Sequence, residues 1–161
     1  ARLARQLARL DVLVDWERRD RSAAALQTMR VDVEPARELC RRLGAWPLRR
    51  ASRRPVVVHV AGSKGKGSVS AWIDAGLRAA GWRTGRYASP HVERVTERVV
   101  LDGLEIAEER LAGAFERALD VREAALGADA AGGSVLARAT WFDVVTAAAF
   151  AAFAEEQLDA W

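Results

Sequence analysis

Glycine and lysine are concentrated in one short segment, residues 61–68, which reads Ala-Gly-Ser-Lys-Gly-Lys-Gly-Ser. Gly62, Gly65 and Gly67 allow a tight turn whose backbone N–H groups point into one concavity, where a phosphate can bind at the start of a helix. Lys66 would place an ammonium group on the outer phosphates. The segment therefore predicts a phosphate-binding loop, and a glycine-rich turn without a ligand is the alternative.

The distribution of basic residues supports a special role for this loop. The chain has 25 basic residues, and its only lysines are Lys64 and Lys66. A compact ammonium on a flexible stem suits a phosphate cradle that a planar guanidinium would not fit. The loop nevertheless departs from the common pattern G-x-x-x-x-G-K-[ST], because Val60 stands at the first glycine position and Gly67 separates Lys66 from Ser68.

Two apolar stretches flank the loop and the helix that follows it. Val56–Val60 is β-branched and uncharged, so we predict a strand buried on both faces, with His59 as a hydrogen-bonded core residue. The helix is expected to end at Gly81, and residues 84–88 form a second strand. A strand-helix-strand unit predicts parallel strands with the phosphate at their carboxyl ends, where the segment 89–91 leaves the second strand.

The remaining patterns complete an α/β fold. Apolar spacing predicts two helices in an N-terminal helical segment, residues 1–50. Residues 51–161 are predicted to be a partial ATP-binding domain of the P-loop type, with three α/β/α layers and a parallel sheet. Asp102-Gly103 predicts a small β-hairpin within this domain, and the spacing of Thr140 and Asp143 predicts a capping box on the last helix.

Composition narrows the class of protein. With 161 residues and 50% hydrophobic residues, the chain is long enough for one globular domain. The net charge is only +3 without a run of like charges, and no apolar stretch is long enough to span a membrane, so neither nucleic acid nor a membrane is an expected partner. The single cysteine, Cys40, excludes an internal disulfide and fits a reducing cytoplasm, and we expect it to pack in the core.

Several motifs occur together in one order along the chain. They are the loop at 61–68, Gly-Trp-Arg-Thr-Gly-Arg-Tyr-Ala-Ser-Pro-His at 81–91, Glu-Arg-Val-Val-Leu-Asp-Gly at 97–103, and Thr-Trp-Phe-Asp at 140–143. In this combination the chain resembles, along nearly its whole length, the N-terminal third of folylpolyglutamate synthase/dihydrofolate synthase, a branch of the Mur ligase superfamily.

The resemblance implies an ATP-dependent ligase. Such enzymes phosphorylate a carboxylate of dihydropteroate or of a folate glutamate, and the amine of L-glutamate attacks the acyl phosphate. A carboxylate is a poor electrophile, and its phosphorylation removes charge and supplies a leaving group. Catalysis then depends on positioning and on cations, here a lysine and Mg²⁺, that offset charge on the transferred phosphoryl group.

The resemblance also implies roles for particular residues. Lys66 would be catalytic, and Ser89 would bind Mg²⁺ through its hydroxyl oxygen. His91 would contact the substrate, and the aromatic and acidic side chains at 140–143 would border the pterin. The implied ATP-binding residues are Gly62, Ser63, Lys64, Gly65, Lys66, Gly67 and Ser68, and the implied folate-binding residues are His91, Thr140, Trp141, Phe142 and Asp143. A plain turn at Ser89 and a plain capping box at Thr140 and Asp143 remain alternatives.

The resemblance also implies that the chain is part of a longer protein. Both ends look cut, later family motifs would lie beyond Trp161, and we expect a monomeric fragment without ligase activity of its own. Two other classes stay open: a different P-loop enzyme, such as a small kinase or a peptidoglycan-type Mur ligase, and a non-catalytic arginine-rich module that binds nucleic acid.

Overall fold

The computed structural model describes residues 2–15, 32–45, 55–129 and 132–161. The predicted domain boundary at residue 50 lies outside these ranges. Two 3₁₀ turns, Val95–Arg98 and Val135–Arg138, join some of the longer elements. The elements in chain order are helix α1 (Arg2–Leu10), helix α2 (Glu34–Arg42), helix α3 (Lys66–Ala79), strand β1 (Gly85–Tyr87), strand β2 (Val99–Leu101), strand β3 (Leu104–Glu105), helix α4 (Glu108–Gly127) and helix α5 (Trp141–Ala154).

The sheet has a parallel part and an antiparallel part. Ala160 forms parallel bridges with Val56 on one side and with Thr84 on the other. The two predicted strands therefore run in the same direction, as the strand-helix-strand unit requires, but the segment near Ala160 lies between them. On its other side β1 pairs antiparallel with β2, and β2 pairs with β3. The predicted α/β fold class is confirmed, with a mixed rather than purely parallel sheet.

The predicted hairpin is also present. Asp102 and Gly103, which join β2 to β3, have φ angles of 48° and 84°. Both angles are positive, as a tight two-residue hairpin turn of this kind requires, and an Asp-Gly pair meets that requirement at low cost.

The burial predicted for Val56–Val60 is wrong. Val56, Val57 and Val58 are 49%, 52% and 41% exposed. The segment forms the outer edge of the described sheet, where Val56 and Val58 donate backbone hydrogen bonds to Asp159 and Trp161. A run of β-branched residues specifies a strand, but it does not specify which of its faces another element covers.

His59 shares the exposure of this edge strand, so the prediction of a core histidine is wrong as well. Its position between valines suggested burial, and that inference depended on the whole strand being covered. A strand is buried only where other elements pack on its faces, and the exposure of His59 shows that its side of the strand is not covered in the described part of the chain.

The hydrophobic core lies on one face of the sheet. Helices α1, α2, α4 and α5 pack around it, and its large buried side chains include Leu39, Phe115 and Trp141. Cys40 belongs to this core as predicted, and burial raises the pKa of its thiol to about 11. The thiol is therefore neutral and unreactive at physiological pH. Helix α3 contributes no residue to this core. The only buried residue of the helix is Asp74.

None of the described helices is both long and apolar enough to cross a lipid bilayer.

Gly85 is a point where the sheet and helix α5 come too close for any side chain. A Cβ at this position would lie 2.8 Å from Leu158 Cδ1 and 2.8 Å from Phe153 Cδ1. We expect Gly85→Ala to lower the free energy of unfolding by about 1–3 kcal/mol through overpacking. Chemical denaturation measures this directly.

Gly76 provides the matched control for that substitution. It lies within α3, and a Cβ there would meet no atom within 4 Å. Gly76→Ala should raise the free energy of unfolding by about 0.5–1 kcal/mol, because alanine is the better helix former. Equal effects of the two substitutions would contradict the tight packing at Gly85.

Candidate functional site

The glycine-rich loop bends sharply into helix α3. Gly65, directly before the first helical residue Lys66, has a φ of 76°, a left-handed conformation that other residues adopt only with strain. No side chain caps the first turn of α3. The N–H groups at this end are thus available to an anion, which the helix dipole also favours.

Lys66 holds its ammonium group over the loop. Its Nζ donates a hydrogen bond of 2.7 Å to the carbonyl oxygen of Gly62. That oxygen is neutral, and within the part of the chain that the structure describes Lys66 forms no ion pair. The positive charge at the mouth of the loop is therefore not neutralised by a carboxylate, so it can attract an anionic ligand.

A cleft of about 620 Å³ connects the loop to the sheet. Lys66 and Gly67 line it at the start of α3, and Ser89 lines it after β1. Two of the residues predicted for phosphates, Lys66 and Gly67, thus share one cleft with Ser89, the residue predicted for a metal. The other predicted phosphate-binding residues, 62–65 and Ser68, do not line it. Residues 62–68 are all exposed. Other side chains around the cleft that the sequence did not identify include Arg86, Thr146, Phe150 and Trp161.

Asp74 fixes α3 on the sheet and so sets the place of the loop. Its Oδ1 accepts a hydrogen bond of 2.5 Å from Thr84 Oγ1, directly before β1, and its Oδ2 accepts one of 3.2 Å from Arg78. Thr84 also donates its backbone N–H to Asp102 Oδ1 at 2.7 Å. Because Ser89 follows β1, this connection fixes the distance between the two sides of the cleft.

Ser89 suits a magnesium ion that is shared with a phosphate ligand. Within the described ranges no three histidine, cysteine, aspartate or glutamate side chains form a metal cluster. Mg²⁺ commonly keeps several waters and takes only one or two protein oxygens together with substrate phosphates. The exposed hydroxyl of Ser89, on the same cleft as Lys66, fits that mode of binding.

His91 lies in a turn that Glu97 organises. The Glu97 carboxylate accepts the backbone N–H groups of Val92, Glu93 and Arg94 at 2.7–2.9 Å. These hydrogen bonds lower the pKa of Glu97 to about 2. His91 itself lines a second cavity, of about 290 Å³, beside Trp141.

The turn should therefore weaken in acid. Because the folded-state pKa of Glu97 is lowered, its contribution to stability is complete above about pH 4.5 and is lost as the pH falls toward 2. We expect Glu97→Gln to remove part of the pH dependence of the free energy of unfolding in this window. Urea unfolding at several pH values measures it, and identical pH dependence in both proteins would contradict the assignment.

Thr140 and Asp143 form the predicted capping box at the start of α5. Asp143 Oδ2 accepts the backbone N–H of Thr140 at 2.8 Å and its hydroxyl at 2.7 Å, and Thr140 Oγ1 accepts the N–H of Asp143 at 3.2 Å. Asp143 is buried. Helix capping alone accounts for both side chains, as one of the two sequence-based interpretations expected.

Trp141 and Phe142, the two aromatic residues between Thr140 and Asp143, differ sharply in burial. Trp141 is only 1% exposed, and the guanidinium carbon of Arg98 lies 4.7 Å from the centre of its ring. Trp141 therefore belongs to the hydrophobic core, and it also lines the small cavity beside His91. Phe142 is 37% exposed, and its ring lies 6.4 Å from that of Tyr87. Of this predicted pair, Phe142 has by far the more exposed ring.

Parts of the chain are similar in sequence to folylpolyglutamate synthases. No protein-family model matches the chain. It is 43% identical over 65 residues to a putative folylpolyglutamate synthase of Caenorhabditis elegans, which covers 40% of this chain and 13% of that protein. It is 36% identical over 107 residues to a dihydrofolate synthase/folylpolyglutamate synthase of Mycobacterium tuberculosis, which covers 63% of this chain and 21% of that protein.

The fold comparison covers more of the chain. The structure of Escherichia coli FolC in complex with DHPP and ADP matches 98% of this chain with a TM-score of 0.72 and 30% identity. The match covers 31% of the FolC chain. The chain thus spans about a third of that structure and between 13% and 21% of the two relatives, which fits the expectation that it corresponds to one part of such a protein.

Proposed function

We propose that this chain, a relative of the folylpolyglutamate synthases, is the nucleotide-binding part of an ATP-dependent ligase that joins L-glutamate to dihydropteroate or to a folate. The observation that carries the proposal is the cleft shared by Lys66, Gly67 and Ser89. It combines an anion-binding helix end, an ammonium without a carboxylate partner among the described residues, and a hydroxyl suited to Mg²⁺. Similarity to synthases from several organisms supports the substrate class.

The loop would bind ATP through its backbone and through Lys66. When the phosphates enter, the ammonium exchanges the carbonyl oxygen of Gly62 for phosphate oxygens, which carry full charge and bind it more strongly. The N–H groups at the start of α3 then bind the remaining phosphate oxygens. Lys66 offsets charge that builds up during transfer of the terminal phosphoryl group.

The transferred group makes an unreactive acid reactive. The substrate carboxylate attacks the terminal phosphorus of ATP, and ADP leaves. The glutamate amine then attacks the acyl carbon, loses a proton and displaces inorganic phosphate. Ser89 would hold a Mg²⁺ ion, whose charge offsets that of the phosphates when it is bound. Phe142, with its accessible ring, would stack on the pterin, and His91 would contact the same substrate.

The arginine-rich surface supports a small-molecule enzyme over a nucleic-acid-binding module. Many of its arginines pair with neighbouring carboxylates, including Arg37 with Glu34 at 2.6 Å and Arg41 with Glu38 at 2.7 Å. Charge balanced in this way leaves little net attraction for phosphate backbones. We propose a monomer that acts in the cytoplasm, where Cys40 stays reduced. Light scattering of the purified protein tests its oligomeric state.

ADP release tests the proposed reaction. In the protein that carries this chain, release should require both L-glutamate and either dihydropteroate or a reduced folate, and the product should gain one glutamate mass. The 161 residues alone should bind nucleotide without adding glutamate. ADP release independent of the acid and the amine would instead indicate another P-loop enzyme, and salt-sensitive RNA retention without ATP would indicate the nucleic-acid module.

A further inference from the structure

The turn that follows Ser89 is held on two sides by two consecutive residues. Glu97 accepts three backbone N–H groups of residues 92–94. Its neighbour Arg98 points into the protein, where it is only 2% exposed, and its Nε lies 2.7 Å from Nδ1 of His91. The side chain of His91 is thus fixed from the interior while its backbone neighbours are fixed from outside.

The chemistry of this hydrogen bond determines where the imidazole proton lies. A guanidinium can donate but cannot accept, and it stays protonated in proteins. Nδ1 of His91 must therefore be the acceptor, which leaves the ring neutral with its proton on Nε2. The other tautomer, or the doubly protonated ring, would place two N–H groups against each other.

Arg98 is itself prevented from turning away. Its guanidinium lies over the ring of Trp141, with 4.7 Å between the guanidinium carbon and the ring centre, and Trp141 is the first residue of α5. Cation–π contact in a buried setting is stronger than at the surface. The hydrogen-bond donor is therefore anchored to the core helix as well as to the turn.

We propose that Arg98 is a positioning residue that holds His91 as the neutral Nε2–H tautomer. His91 then offers a hydrogen-bond donor, and not a base, to an acceptor such as a carbonyl or carboxylate oxygen in the adjoining cavity. The charged side chains that line this cavity with His91 are Glu93, Arg94 and Glu108, and Glu97 lies behind the turn. That this acceptor belongs to the folate substrate rests on the proposed function; the tautomer rests on the geometry alone.

The chain offers an unusually clean test, because His59 and His91 are its only histidines. Two-bond ¹H–¹⁵N correlation spectra, recorded at a pH where both rings are neutral, report which nitrogen carries the proton. His59→Gln assigns the two spin systems. In the unaltered chain His91 should show a single Nε2–H tautomer, whereas exposed His59 should show a mixture of both.

Two substitutions separate positioning from general stability. Arg98→Met should let His91 drift toward the mixture seen for His59, and Arg98→Lys, which keeps a cationic donor, should restore a large part of the Nε2–H signature. If Arg98→Met does not fold, the spectrum of the unaltered chain still shows whether His91 is held as the Nε2–H tautomer. An Nδ1–H tautomer at His91, or a mixture equal to that of His59, would overturn the proposal. The tautomer of His91 is measured without nucleotide, so a negative result would not contradict the proposed ligase function.

Discussion

Replacing Lys66 with methionine should weaken binding of MgATP to this chain by about 10- to 100-fold, the loss expected for a charge-assisted hydrogen bond to phosphate. The physical reason is the ammonium group of Lys66, which lies over the loop and donates a hydrogen bond to the neutral carbonyl oxygen of Gly62. A phosphate oxygen would be a stronger acceptor for it. Methionine keeps much of the length of the side chain and removes its charge. Isothermal titration calorimetry measures the change in affinity.

Lys64 provides the matched control, since it is the other lysine of the same exposed loop. Unlike Lys66, it does not line the cleft that also holds Ser89. Lys64→Met removes the same charge and should weaken MgATP binding much less. Equal losses for the two substitutions would show that only the net charge of the loop matters, which would contradict the role assigned to Lys66.

Trp141→Ala should lower the free energy of unfolding by about 3–5 kcal/mol, because it removes the largest completely buried side chain of the described core. The adjacent substitution Phe142→Ala should cost less, about 1–2 kcal/mol, since that ring is 37% exposed. Thermal or chemical denaturation of both variants measures the difference.

For ligand affinity, in contrast to stability, we expect the change at Phe142 to have the larger effect and the change at Trp141 the smaller one. Phe142→Ala should weaken binding of a folate or pteroate to the protein that carries this chain, through loss of the accessible ring. A conservative change at the buried position, Trp141→Phe, should leave that affinity nearly unchanged if the protein stays folded. Stronger loss of ligand binding in Trp141→Phe than in Phe142→Ala would contradict the assignment of Trp141 to the core.

The sequence predicted what depends on local patterns. The glycine-rich bend into α3, the Asp102-Gly103 hairpin turn and the capping box of α5 each need particular residues at fixed spacing, and each is present. Such features require few long-range contacts. The loop also borders the cleft that Lys66, Gly67 and Ser89 line, and its binding of phosphate stays a prediction.

What the sequence did not predict depends on contacts between distant residues. The segment near Ala160 lies between the two parallel strands of the strand-helix-strand unit, and no local pattern indicated that insertion. The exposure of Val56, Val57 and Val58 depends on which elements pack on the faces of their strand. The alternation of Trp141 and Phe142 between core and surface depends on how α5 packs. The hydrogen bond from Arg98 to His91 joins residues whose types alone gave no signal of a contact.

Backbone amide chemical shifts during titration with MgADP test the central claim most directly. If phosphates bind the loop, the largest changes should occur at Gly65–Ser68, with a second group at Ser89 across the cleft, and Lys66→Met should reduce both at equal ligand concentration. Changes centred elsewhere, for example along the small cavity beside His91, or no changes at millimolar nucleotide, would contradict the account of this cleft as a nucleotide site.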